Sequence, residues 1–282
     1  MDITKNLNIQ LSNPDTKDFL ADAFYPEIDS KLPLVIFVHG YKGYKDWGAW
    51  NLMAEKFAEA GFFFVKFNFS HNGTTIISPT EFDDLEAFGN NNYSKELSDL
   101  DFVINHFTKN TKVDDQKIIL IGHSRGGGIS IVKTCEDERI NALITLASVD
   151  TLERFPKDEG LENWKNKGVY YVENARTKQQ MPHYYQFYQD FKDNEHRFDV
   201  ERSMEMAKAH VLIIHGTDDE GVSMKNAEHL HILHPNSELF LIENGNHVFG
   251  AKEPWTEGTL PEDLNTVVEK CIEFINDKIV NE

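Results

Sequence analysis

The chain has 282 residues, 40% of them apolar, and a formal net charge of −19. That length suits one large α/β domain or two small ones, while the acidic balance argues against nucleic acid and anionic membrane surfaces, which need basic residues to meet phosphates. No stretch approaches the roughly 18 apolar residues of a membrane span, no basic and then apolar leader opens the sequence, and the two cysteines, Cys135 and Cys271, sit in helix-like apolar surroundings that suit free thiols; a cytoplasmic protein is expected.

Ile3 to Leu11 and Phe19 to Tyr25 read as antiparallel edge strands, and Leu34 to His39 as a buried central strand because it is continuously apolar. Asp46 is placed to cap a helix that runs to about Glu59 and stops at Gly61. Phe62 to Phe69 follows as a strand, then a polar loop, then an amphipathic helix capped by Ser94 with Leu97, Leu100, Val103, Ile104 and Phe107 on its inner face. The strand at 117–122, a helix through Cys135 and the strand Ala142 to Ala147 continue the βαβ alternation of a mostly parallel sheet. From about 149 to 208 the pattern breaks into aromatics interspersed with charge. It resumes with the strand Val211 to Ile214, a helix near 225–233, the strand Leu239 to Ile242 and a C-terminal helix from about Pro261 to Ile279. A core of 1–148 and 209–282 with one insertion at 149–208 accounts for the length.

The most informative run is Lys117 to Gly128, where an apolar strand enters Gly122-His-Ser124-Arg-Gly126 and leaves as a helix. A turn that tight needs glycines beside it and lifts the serine hydroxyl clear of the backbone, so Ser124 is the nucleophile candidate. Serine needs a base, and the base needs a group that fixes its tautomer. Of twelve histidines, His247 lies in a Gly-rich loop directly after a strand, where an α/β sheet places its ligands. The loop after the preceding strand offers Asp218, Asp219 and Glu220. Asp219 is chosen on spacing, three residues before the next helix, and the alternatives stay open. His39 and His215 read as residues that order turns, His123 and His71 as candidates for substrate contact beside packing roles, and His229, His231 and His234 as an exposed helix end rather than a metal site.

With these pieces the chain resembles the α/β-hydrolase superfamily, and within it the small serine esterases near bacterial feruloyl (cinnamoyl) esterases and dienelactone-hydrolase-like proteins. The resemblance rests on Val38-His-Gly-Tyr-Lys-Gly43, Gly122-His-Ser-Arg-Gly126, His215-Gly-Thr-Asp-Asp219 and Gly245-Asn-His247. It implies an α/β-hydrolase fold, a mostly parallel central sheet of about eight strands flanked by helices, with the insertion as a cap. It also implies Ser124 as nucleophile, His247 as base, Asp219 as orienting acid, and an oxyanion hole from the backbone N–H groups of Tyr41 and Arg125. The activity implied is hydrolysis of small to medium or aromatic acyl esters through an acyl-enzyme, with neither metal nor cofactor and with room for a homodimer. Acyl transfer, thioester cleavage or peptidase activity on the same triad, and a non-catalytic binding module, are the competing readings.

Overall fold

A computed structural model describes residues 2–281. In chain order the elements are β1 (Ile3–Leu11), β2 (Phe19–Pro26), β3 (Leu32–Val38), α1 (Trp50–Glu59), β4 (Phe63–Phe67), α2 (Leu85–Gly89), α3 (Tyr93–Phe107), β5 (Val113–His123), α4 (Arg125–Glu136) and β6 (Ile140–Leu146). The insertion contributes α5 (Glu159–Lys167), β7 (Val169–Glu173), β8 (Gln180–Tyr184), α6 (Gln186–Asp193) and α7 (Val200–Met206). The chain closes with β9 (His210–Gly216), α8 (Lys225–Leu233), β10 (Glu238–Ile242) and α9 (Glu262–Ile275), which passes into a π-helical turn at Asn276–Val280.

Eight strands form one sheet in the order β1-β2-β4-β3-β5-β6-β9-β10, and β7 and β8 make a separate antiparallel hairpin. From β4 to β10 all neighbours are parallel; β1 with β2 and β2 with β4 are antiparallel. The inner runs of the central strands, such as Leu34–Val38 of β3 and Ile118–Ile121 of β5, are apolar and buried because both faces are covered. Leu34, Ile36 and Val38 point to the layer of α3, α4 and α8, whereas Val35 and Phe37 point to α1 and α9. All the parallel strands therefore end on one edge, where their loops carry polar side chains.

Three expectations need correction. Of the first two strands only β1 is an edge; β2 is flanked on both sides, and its residues are buried almost throughout. The helix after β3 begins at Trp50 rather than at Asp46. Asp46 instead joins Asp22, Lys45 and Lys66 in a buried cluster: Lys45 Nζ lies 2.8 Å from Asp22 and 2.6 Å from Asp46, and Lys66 Nζ contacts both carboxylates. Burial works to raise the Asp46 pKa, yet the two ammonium groups hold it below the usual carboxylate range; burial likewise lowers that of Lys66. Third, Asn92, not Ser94, caps α3, its side chain accepting from the Lys95 N–H.

The Asp22–Lys45–Asp46–Lys66 cluster pins the segment after β3 to β2 and β4, with Lys45 also donating its backbone N–H to Asn68 Oδ1 at 2.6 Å. Removing one cation leaves buried carboxylates uncompensated. Lys66→Met is expected to destabilise the fold by about 3 kcal/mol, read as a lowered urea midpoint at neutral pH.

Candidate active site

Four loops at the carboxyl edge of the sheet supply the site. Ser124 sits between β5 and α4 with φ 56° and ψ −121°, a strained conformation for a residue with a side chain. Its N–H donates to Leu146 O at 2.9 Å and its carbonyl accepts from Gly127 N at 3.0 Å, so β6 and the first turn of α4 hold it in place. Gly126 has no room for a side chain: a Cβ there would lie 2.3 Å from Val38 O and 2.5 Å from His39 O. The loop after β3 presses as closely on the serine, since a Cβ on Gly40 would be 2.9 Å from Ser124 Cβ.

The sequence-predicted trio comes together. Ser124 Oγ is 3.0 Å from His247 Nε2, and His247 Nδ1 is 2.8 Å from Asp219 Oδ2. A carboxylate can only accept, so Nδ1 carries the proton and Nε2 is free to receive that of the serine. Of the three acids considered, Asp219 bonds His247, while Asp218 and Glu220 are exposed. Asp219 Oδ1 accepts from the backbone N–H groups of Gly221 and Val222, each at 2.8 Å. Burial tends to raise the Asp219 pKa, but bonds from His215, His247 and the Val222 N–H outweigh it and keep the carboxyl well below its ordinary range.

His215 has a larger part than turn ordering. Its Nε2 lies 2.9 Å from Val222 O and 3.2 Å from Asp219 Oδ2. Both partners are acceptors, so Nε2 bears the proton, and the ring meets Asp219 Oδ2, the same oxygen that His247 bonds. The spacing of four residues from His215 near the end of β9 to Asp219 in the loop after it is the only sequence signal that could have found it. His39 does order its turn: Nδ1 donates to Gly40 O at 2.9 Å and Nε2 accepts from Phe69 N at 3.2 Å. Tyr41 and Arg125, the two proposed oxyanion donors, both line cavities that contain Ser124.

His123 and His71 part company. His123 borders the site, its Nε2 donating to His247 O at 2.9 Å and its ring centred 4.9 Å from that of His247. His71 is buried in the loop after β4, bonded through Nδ1 to Ser70 Oγ at 2.7 Å, and lines neither cavity beside Ser124. The expectation that His71 touches substrate is thereby corrected: the loop folds back on itself to satisfy its own polar groups. The three histidines near the end of α8 are bonded to Asp150, Ser237 and the Ala207 carbonyl, and no metal-holding group of three or more His, Cys, Asp or Glu occurs among the described residues.

Ser124 opens on two cavities. The larger, about 390 Å³, lies between the sheet edge and the insertion, and Tyr41, Tyr93, Phe155, Tyr170 and Phe187 give it aromatic walls. The smaller, about 160 Å³, lies against Trp47, Trp50 and His123. A hydrogen bond of 2.7 Å between Tyr41 OH and His183 Nε2 ties the loop after β3 to β8 of the insertion. His183 and Arg154 were invisible in the sequence, since no periodicity or motif organises residues 149–208. A still larger cleft, about 540 Å³, opens at the amino ends of β5, β6 and β9 and shares no residue with the site.

A family model described as alpha/beta hydrolase fold matches residues 33–202. No curated protein matches the chain in sequence. Among solved structures it is similar to Est1E from Butyrivibrio proteoclasticus with ferulic acid bound, at TM-score 0.73 and 19% identity over 96% of this chain and 99% of that one. The esterase domain of a Rhodothermus marinus protein gives a TM-score of 0.66 at 15% identity, over 98% and 99% of the two chains. The Pyrococcus horikoshii acylaminoacyl peptidase gives 0.66 at 15% identity, over 99% of this chain and 42% of its own. At such identities the likeness is one of fold. Among the described residues no helix is long and apolar enough to cross a membrane.

Burial pulls the pKa of His39 down to about 4 and those of His123 and His183 down to about 3, from 6.5. These rings are neutral when folded and take up protons only on unfolding, so their stabilisation is complete above pH 6.5 and is lost as pH falls towards 4. Urea midpoints measured from pH 7.5 to 4.5 should therefore decline progressively below 6.5, and His183→Phe should flatten that decline.

Proposed function

The chain belongs to the α/β-hydrolase fold family, and from that premise we propose that it is a carboxylic-ester hydrolase acting through an acyl-enzyme on Ser124. The family supports hydrolase activity; the observation that carries the narrower reading is the unbroken relay from Asp219 through His247 to Ser124, at 2.8 and 3.0 Å. In this reading His247 takes the Ser124 proton as Oγ attacks the ester carbonyl. The backbone N–H groups of Tyr41 and Arg125 receive the negative charge that develops on the carbonyl oxygen, a contribution on the order of 3 kcal/mol per donor in such sites. His247, still oriented by Asp219, then returns the proton to the departing alcohol. Water repeats the sequence on the acyl-enzyme, using the same base and the same donors.

Residues 149–208 act as the cap in this scheme. They supply Phe155, Tyr170 and Phe187 to the larger cavity, whose volume lies in the range of small-molecule sites. Aromatic walls suit an apolar or aromatic substituent of the ester, and the ferulic acid named in the Est1E structure is a ligand of that kind. The two cavities on either side of Ser124 are read as separate places for the acyl and alcohol parts.

The decisive experiment is the initial rate on nitrophenyl esters of increasing acyl length, with Ser124→Ala as the blank. The wild type should turn over short and aromatic esters, and Ser124→Ala should be folded but inactive and unlabelled by a fluorophosphonate probe. Asp219→Asn should lower kcat by about four orders of magnitude, whereas Asp218→Asn and Glu220→Gln should change it little. Serine-independent turnover, or no turnover of any ester, would overturn the proposal.

A further inference from the structure

The charged side chains that line the cavities at Ser124 are opposite in sign to the chain as a whole. The protein carries 47 acidic against 28 lysine and arginine residues, yet the larger cavity is lined by Arg125 and Arg154 and by no carboxylate. The smaller cavity likewise holds Lys42 and no acid. A chance sample of this surface would be acidic, and a local reversal of sign in a concave, aromatic-walled site focuses the field on an anion.

The cations differ in what already occupies them. Arg125 is bridged at 2.6 Å to Glu96, which is 1% exposed, and its guanidinium lies 4.9 Å from the centre of the Tyr41 ring. That charge is fixed and compensated. Lys42 Nζ lies 5.1 Å from the centre of the same ring and donates to the Glu173 carbonyl. Arg154 makes no ion pair among the described residues. The larger cavity thus has one uncommitted guanidinium, whose planar donors suit a carboxylate.

We propose that the substrate carries a carboxylate on the part that fills the larger cavity, and that Arg154 is the residue that selects it. This deepens the ester-hydrolase reading and rests on it for the reaction, but not for the binding. The aromatic walls hold the body of that substituent while Arg154, exposed at the cavity, pairs with its charged end. Because the pair is partly in water, the selectivity weakens as salt screens it.

Two matched pairs of esters test this, since the larger cavity could take either part of the substrate. One pair places the charge on the acyl side, the nitrophenyl monoester of glutaric acid against nitrophenyl valerate. The other places it on the alcohol side, 4-carboxyphenyl butyrate against phenyl butyrate. In one of the pairs the wild type should prefer the anionic member by about tenfold in kcat/KM at low salt, the scale of one charge-assisted hydrogen bond. Arg154→Gln should bring that ratio near one, chiefly through KM, and Arg154→Lys should restore part of it. Binding is read separately by calorimetric titration of benzoate and of benzamide into Ser124→Ala, with and without Arg154→Gln. Benzoate should bind more tightly, and lose that margin with Arg154→Gln or high salt. Equal treatment of charged and neutral members in both pairs, or equal binding of benzoate and benzamide, would overturn the assignment. If no ester is turned over, the hydrolase reading fails while the titration still decides the anion site.

Discussion

The positive φ of Ser124 is the constraint on which the rest of the upper sheet edge depends. Holding a side-chain-bearing residue there costs about 1–3 kcal/mol, and it persists only because its neighbours leave no alternative. Gly126 lies directly against the Val38 and His39 carbonyls, and the Ser124 N–H is taken by Leu146. The elbow therefore requires β3, β5 and β6 to be in register before it can form. Once formed, it places Ser124 at the edge of both cavities, at the amino end of α4, where the first backbone N–H groups of a helix and its positive dipole end lie.

A second tier holds Asp219 in its ionised form. Asp219 receives four donors, two from its own backbone turn and one each from His215 and His247. A carboxylate so supplied stays ionised, and its direction is set before any substrate arrives. The surrounding histidines, His39 and His123, are buried and kept neutral, and hold loop backbone at Gly40, Phe69 and His247. The histidine bonded to Ser124 differs from these in being partly exposed and in its partners, a carboxylate on one nitrogen and a hydroxyl on the other.

The buried cluster of Asp22, Lys45, Asp46 and Lys66 and the bond between Tyr41 and His183 extend this order in opposite directions. The first ties the loop after β3 downwards into the sheet, and the second ties it upwards into the insertion. Tyr41 stands at their junction, with the cations of Lys42 and Arg125 within 5.1 Å of the centre of its ring. Movement of β8 would thus be transmitted to the loop beside Ser124, which carries Lys42 at the smaller cavity.

What the sequence determined by itself is whatever depends on near neighbours in the chain. The elbow glycines flank Ser124, the apolar runs of β3 and β5 give the strand periodicity, and the loops with His247 and Asp219 follow their strands directly, so Ser124, His247 and the acidic loop at 218–220 were legible from spacing. The boundaries that failed, Asp46 as a helix cap and β2 as an edge, failed because tertiary partners claimed those residues: two lysines for Asp46, and β4 for the open side of β2. The same holds for His71, whose position after a strand resembled that of a site residue until its loop folded away from the cavity. Only the tertiary structure could choose Asp219 over Asp218, bring His215 against it, and turn Arg154 and His183 of an unpatterned insertion towards Ser124. Those contacts join segments far apart in the chain or depend on which way a side chain turns, and local sequence pattern encodes neither.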